Sequence, residues 1–416
     1  MKKYLPALGL ALMLAAILAL GGCGEKAVVS AKDLMSGVQG EAVAADVDLQ
    51  GPAAARLADF AVKLGQLSLA GEKNPLVSPL SVLNALAMTA NGAQAETLSQ
   101  MEAVFGLSLA ELNDYLHAYG KALPAGEKYR VNLANSIWFR EGGFTPDQDF
   151  LETNGAYYHA DLYQAPFDES TLEDINNWVK TETQGLIGSI LSQIPPDAVM
   201  YLINALAFDA EWQQIYREDQ VREGVFTTEA GQRRQVKLMS STEGRYLEDG
   251  LATGFIKYYA ERKYAFVALL PNDGVKLDDY LASLSGARLL ATLNDAAAAT
   301  VDADLPKFES DYSLEMSGLL KALGIMDAFD PDLADFSGLG AAQAGNLYIS
   351  QVLHKTYIAV DEQGTKAGAA TAVEVETTSM PMDVKTVTLD RPFVYLLIDC
   401  ATNLPLFIGT VTDIGA

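Results

Sequence analysis

Residues 361–379 read Asp361-Glu362-Gln363-Gly364-Thr365-Lys366-Ala367-Gly368-Ala369-Ala370-Thr371-Ala372-Val373-Glu374-Val375-Glu376-Thr377-Thr378-Ser379. From Thr365 onward, one alternate set is Thr365, Ala367, Ala369, Thr371, Val373, Val375 and Thr377. The other is Lys366, Gly368, Ala370, Ala372, Glu374 and Glu376. Successive side chains of a strand point to opposite faces, so the first set suits a core and the second suits water. The Gly and Ala content nevertheless gives weak strand propensity. The segment reads as a strand held in reserve, written for burial but placed like an exposed loop.

The rest of the 416 residues sets the context for that strand. Half are apolar, enough for one large domain or two medium ones, and the 34 Gly and 15 Pro are too dispersed to mark an internal linker, so a single large domain is expected. A formal charge of −25 argues against nucleic acid or an anionic lipid surface as a partner and for a well-hydrated exterior.

The amino terminus reads as a targeting segment: Lys2-Lys3, an apolar run from Leu5 to Leu20, then Gly21-Gly22-Cys23. The run is short for a membrane span. Leu20-Gly21-Gly22-Cys23 resembles a bacterial lipoprotein processing box, which implies a signal peptide over 1–22 and a lipid-bearing Cys23. A plain secretory signal with a coincidental cysteine is the alternative, giving a secreted protein rather than one anchored on the cell surface or outer face of the membrane. Several acyl chains on one residue would anchor stably. Loss of Lys2 and Lys3 would take the charge from −25 to −27. Residues 23–51, without a convincing period, read as a tether, and 52–416 as the folded domain. Asp46-Val47-Asp48 imitates the start of a calcium loop, but Leu57 stands where the bidentate Glu belongs. Cys400 has no partner if Cys23 is acylated, so no disulfide is expected.

Catalytic chemistry is scarce. The histidines are His117, His159 and His354, and the chain has no Gly-x-Ser-x-Gly elbow, His-x-x-x-His or Cys-x-x-Cys. Gly338 to Gly345 lacks the third glycine of a dinucleotide loop and reads as a turn. Neither enzyme activity, a metal nor a cofactor is expected.

From Pro52 the elements follow closely. Leu57, Phe60, Ala61, Leu64 and Leu67 recur at helical spacing. In Asn74-Pro75-Leu76-Val77-Ser78-Pro79-Leu80-Ser81, Val77 ends a short strand, Ser78 caps a helix with Pro79 at its first position, and Asn91-Gly92 stops it. Further landmarks are Ala134 to Phe139, Ile175 to Lys180, Leu202 to Phe208, Trp212, Val301 to Phe308, Val352-Leu353-His354, Arg391-Pro392-Phe393 and Leu406 to Gly409.

With Glu362-Gln-Gly-Thr-Lys-Ala-Gly-Ala-Ala-Thr371 among them, the chain from Pro52 to Ile414 resembles the serpins, protease inhibitors that insert their reactive loop. The order and coverage of these motifs carry the resemblance, not any one of them. It implies an α+β fold with three β-sheets, eight to nine helices and an exposed reactive-centre loop. It implies a hinge at Glu362, Gly364, Thr365, Ala367, Ala369 and Ala370. Ser78, Ser81, Asn204 and His354 would form the shutter where the sheet opens, with His354 pairing with Asn204; a satisfied buried imidazole is the plainer reading of His354. Lys307 would pair with Glu362 at the loop's point of entrance, beside Trp212, which could equally be a core tryptophan.

The resemblance further implies kinetic trapping: a protease attacks the loop, forms an acyl-enzyme and is carried away before deacylation. The fourteen residues from Thr365 to Thr378 would make a strand of roughly 45 Å. Family spacing from Glu362 places the scissile bond at Thr378-Ser379, with Thr377 or Ser379 as near alternatives because the loop before Arg391 is longer than in familiar members. Pro381 counts against Met380, and Lys385 lies seven residues beyond. A small residue before the cleaved bond suits elastase-like or subtilisin-like serine proteases, and a cysteine protease is a further class the resemblance allows. A monomer is expected. Lys366 and Gly368 depart from the family pattern on the solvent-facing parity, where insertion tolerates them. A non-inhibitory serpin acting as a binding, carrier or chaperone protein is the alternative, although such members usually have a bulky or charged hinge. A lipid-anchored solute-binding protein would show two similar α/β halves, and no such repeat is found.

Overall fold

All twelve residues of the helix Pro79–Ala90 are buried. Ser78 caps it, accepting from the Ser81 amide at 3.3 Å, and Pro79 occupies the first helical position, as the Ser-Pro pair predicts. A helix apolar on every side has to be covered on every side. This one packs against the strands Tyr129–Arg140 and Met200–Glu211 on one side and Pro405–Val411 on the other, so it lies between two sheets. The computed structural model describes residues 29–38, 40, 43, 46–69, 71–142, 144–342, 346–365 and 384–414. Cys23, Ala367, Ala369, Ala370, Thr377, Thr378 and Ser379 lie outside the described residues, as does the expected exposed loop.

Nine α-helices and three sheets occur among the described residues, the fold that the resemblance implies. The seven-stranded sheet runs in the order Lys32–Asp33, Asp161–Ala165, Tyr129–Arg140, Met200–Glu211, Gly364–Thr365, Gln351–Val360 and Phe308–Glu315. Its centre is forked. Over most of their length the 200–211 and 351–360 strands pair directly and in parallel, from Gln351↔Tyr201 to Tyr357↔Ala207. Beyond Ala207 they part, and Gly364–Thr365 lies between them, with Thr365 opposite both Ala210 and Val360. A nine-stranded sheet, including Arg233–Glu248, Ala252–Tyr258 and Val384–Thr388, and a two-stranded pairing of Gly340–Ala342 with Phe144–Pro146 complete the set. Of the glycine-rich stretch, Gly338 and Leu339 lie in a short 3-10 turn that leads into the Gly340–Ala342 edge pairing, and 343–345 lie outside the described residues.

Two expectations need correction. The first helix spans Pro52–Leu69 with Leu57, Phe60, Ala61 and Leu64 buried, but Leu67 is 40% exposed and Ser68 is buried instead. Four residues on from Leu64 the same face reaches Ser68, which the polar residue hides from a hydrophobicity count. The second concerns the stretch expected to be a tether. Its described part is docked: the Ser30 and Ala31 amides donate to the Asp174 carboxylate at 2.8–2.9 Å. Lys32–Asp33 adds an edge strand to Tyr163 and Gln164, and Leu34 is buried. A two-residue strand is too short to show a period; its partners are an unpaired sheet edge and one helix carboxylate far along the chain.

Candidate functional site: the forked sheet and the hinge turn

The fork is built from the turn that precedes it. Asp361-x-x-Gly364 closes as an Asx turn: the Gln363 and Gly364 amides donate to Asp361 Oδ1 at 2.8 and 3.3 Å, and the Asp361 amide donates to the Gly364 carbonyl at 3.0 Å. Gly364 is needed because a Cβ there would stand 2.0 Å from the Ala210 carbonyl oxygen. The next residue, Thr365, is fully buried, and its hydroxyl meets that of Tyr259 at 2.5 Å. The expectation that the stored segment stays outside the body from Thr365 onward therefore fails at its first residue, which the two strands already enclose.

Two aromatic residues grip this turn. Trp212 donates its amide to the Gln363 carbonyl at 2.8 Å and its indole N–H to the Asp361 carbonyl at 2.9 Å, while the Tyr216 amide donates to Glu362 at 2.9 Å. Trp212 is buried and stacks on Tyr259, with ring centroids 4.4 Å apart. It is both a core tryptophan and a hinge contact. Glu362 is held by Lys307 Nζ through both carboxylate oxygens, at 2.9 and 2.7 Å, each side chain about a third exposed. Partial burial pushes the Glu362 carboxyl up, but the Lys307 hydrogen bond, a backbone hydrogen bond and the Lys307 charge together outweigh it and leave the pKa below the ordinary glutamate value.

Lower in the sheet, where the strands still touch, lies a buried polar cluster. His354 is opposite Asn204 in the parallel register and fully buried. Burial pulls its imidazole down to about 3, so the ring is neutral. Nε2 accepts from the Ser78 amide at 3.0 Å, which leaves the proton on Nδ1 to be donated to Asn204 Oδ1. Asn204 Nδ2 in turn donates to Asn135 Oδ1 at 3.0 Å, and the Ser81 hydroxyl reaches the same oxygen at 3.5 Å. The chain of bonds ties the 200–211 strand, the 351–360 strand and the cap of the buried helix together.

The structure thus gathers Glu362, Gly364, Thr365, Trp212 and Lys307 at the open end of the fork, and Ser78, Ser81, Asn204 and His354 at its closed part. Asn204 and Ala210 are six residues apart on one strand, roughly 20 Å. Reading the sequence missed Asn135, Tyr216 and Tyr259, which join through contacts with no local signature; only the Asp361-x-x-Gly364 turn had a signal that could have been found. Among the described residues there is no cluster of three or more metal-ligating side chains. The arrangement offers no nucleophile with a base; what it can do is admit a strand.

Comparison with known proteins bears on that geometry. A family model described as Serpin (serine protease inhibitor) matches residues 55–414. Human Serpin B9 is 31% identical over 368 residues, covering 84% of this chain and 96% of that protein. The human leukocyte elastase inhibitor is 28% identical over 371 residues, covering 84% and 95%. Among solved structures, the thermophilic serpin tengpin in its native state matches with a TM-score of 0.89 at 47% identity, covering 93% of this chain and all of that one. The same protein in its latent state matches with 0.80 at 48% identity, covering 90% and all of that chain.

Proposed function

This chain belongs to the serpin family, and from that premise we propose that it inhibits serine proteases by suicide cleavage of its reactive loop and insertion of the part from Thr365 into the forked sheet. The observation that carries this reading is Thr365, buried between two strands that pair directly below it. An inserted strand continuing from Thr365 would keep its parity. Ala367, Ala369, Thr371, Val373, Val375 and Thr377 would then share the buried face. The higher similarity to the native than to the latent state of tengpin supports a conformation from which insertion is still to come.

In the proposed reaction the protease serine oxygen attacks the Thr378 carbonyl, the Thr378–Ser379 amide bond breaks, and the Ser379 nitrogen leaves with a proton from the protease's histidine. Thr378 remains as an ester on the protease. Insertion then completes the sheet and carries the ester away before water cleaves it. The driving energy is a better-paired, better-buried state that a barrier keeps the native fold from reaching. Small side chains at Thr377 and Thr378 favour elastase-like or subtilisin-like targets, in keeping with the name of the human elastase inhibitor. We further propose a monomer lipidated at Cys23 and held on the outer face of the membrane, the alternative being secretion without an anchor.

The test is incubation with pancreatic elastase and subtilisin, read by denaturing gel and by mass spectrometry of the released peptide. A denaturation-resistant complex with cleavage after Thr378 or Thr377 is expected. Cleavage only at Lys385, or no complex with either protease, would sink the reading. The anchor is tested separately by detergent phase partition of the full-length protein and of Cys23→Ser, which should leave the detergent phase.

A further inference from the structure

Lys257 is a cation enclosed by protein. Its side chain is 3% exposed, and its Nζ donates to Glu243 at 2.9 Å and, more weakly, to the Gln214 carbonyl at 3.4 Å. The same nitrogen lies 4.2 Å from the centroid of the Tyr216 ring and 5.3 Å from that of Trp212. Glu243 also accepts from the Ser241 hydroxyl at 2.7 Å, and Ser241 Oγ is 3.3 Å from the Tyr216 hydroxyl. Lys257, Glu243, Ser241 and Tyr216 thus form a closed cycle of contacts beside the Tyr216 ring. Burial works against the ammonium charge, but Tyr216 and Glu243 outweigh it, and its pKa stands above the ordinary lysine value.

We propose that Lys257 is a positioning residue for loop insertion: by holding the Tyr216 and Trp212 rings from beneath, it fixes the register in which the strand beginning at Thr365 enters the sheet. The inference rests on the inhibitory reading above. Trp212 and Tyr216 supply three of the hydrogen bonds that hold residues 361–363. Those bonds set Thr365 opposite Ala210. Register matters here more than in an ordinary hairpin, because a slip of one residue would turn the whole inward set of 365–377 to solvent and drive Lys366, Glu374 and Glu376 into the core. A loosened grip slows productive insertion, and deacylation then overtakes trapping. A buried ion pair is weak as a source of stability, since apolar replacement of both partners is often neutral or stabilising. Positional control is what the pair contributes.

The test compares wild type with the double variant Lys257→Met/Glu243→Leu, which removes both charges and strands neither. Its native melting temperature should equal or exceed that of wild type, whereas the ratio of cleaved to covalently trapped protein after reaction with elastase should rise about fivefold, the scale of one cation–π contact. In a second arm the loop is nicked with thermolysin, a metalloprotease that forms no acyl-enzyme, and the rate at which heat resistance appears is followed; the variant should be slower by a similar factor. Unchanged partition and unchanged rate in the folded variant overturn the proposal. If wild type forms no covalent complex, the inhibitory reading falls and the thermolysin arm decides alone. If nicked wild type gains no heat resistance, both ideas fall. Should the double variant not fold, Lys257→Gln keeps a donor for Glu243, loses the cation over the rings, and is judged by the same two readouts.

Discussion

His354 and Asn204 face each other across the parallel register of the two middle strands, joined by a bond from imidazole Nδ1 to the Asn204 side-chain oxygen. Under the proposed mechanism a strand extending from Thr365 would pass between them, which would make this bond a latch as well as a stabilising contact. Replacing His354 by Ala would leave the Ser78 amide and the Asn204 side-chain oxygen without their partner in a buried site, a cost of about 1–3 kcal/mol for each unsatisfied group. Denaturant unfolding should show a native-state loss in that range, and the nicked protein should gain heat resistance faster than wild type, since no latch remains to break. Slower gain would show that His354 assists insertion instead.

Acid should act through the same residue. The imidazole is held near 3 in the fold against about 6.5 when unfolded. Between those values the unfolded chain binds the extra proton, so stability is highest above about pH 6.5 and falls as pH drops through the window. The ceiling is of order 5 kcal/mol at pH 3, from about 1.4 kcal/mol per pH unit. His354→Asn should flatten that slope in melting temperatures measured from pH 7 to 4. An equally steep slope in the variant would assign the effect elsewhere.

Glu362 acts in the same sense, losing its contribution as pH falls. With a folded pKa below its unfolded value, its contribution is present above the unfolded value and lost as pH falls through the folded one. The Lys307 pair is about a third exposed, so screening holds its worth to about 0–1 kcal/mol. Lys307→Met should therefore change native stability by less than about 1 kcal/mol. A drop of several kcal/mol in urea unfolding would mean that the pair is more deeply coupled to the turn than its exposure indicates.

Gly364→Ala should be costlier than either partner of that pair. The added carbon would meet the Ala210 carbonyl at 2.0 Å, and backbone rather than a flexible side chain would have to yield. A loss of about 1–3 kcal/mol is expected, with faster limited proteolysis after residue 360 as Thr365 leaves the fork. Unchanged proteolysis would mean that the turn can move without releasing Thr365.

Thr365→Arg tests the insertion path itself. The position is fully enclosed, and a guanidinium there would face Tyr259 without a carboxylate partner. Elastase should still cleave the loop, but the denaturation-resistant complex should disappear. An undiminished yield of complex would refute insertion starting at this residue.

Much of the fold was legible because it rests on local chemistry. Ser78 and Pro79 announce a helix start through a cap and a fixed φ, and both are where the pattern puts them. The alternation from Thr365 reads as a strand, and Thr365, the one residue of that stretch among those described, lies buried as its parity demands. The docked segment around Leu34 was not legible, because two paired residues and one carboxylate at Asp174 leave no periodic trace. Leu67 and Ser68 show the same limit on a smaller scale, since the apolar count follows composition and burial follows the helix face.

What the amino-acid sequence determined by itself was the character of each piece: a small-residue hinge, an inward and an outward parity, a capped apolar helix and the absence of catalytic spacing. Propensity, capping and alternation act between near neighbours and survive without knowledge of the rest of the chain. Only the tertiary structure decided that the 200–211 and 351–360 strands close below the hinge and open above it. It also decided that Thr365 is already inside and that Lys257 sits beneath the two rings that hold the turn. Those relationships join residues up to about 150 positions apart, and they arise because side chains buried from water must find partners wherever the sheets bring them.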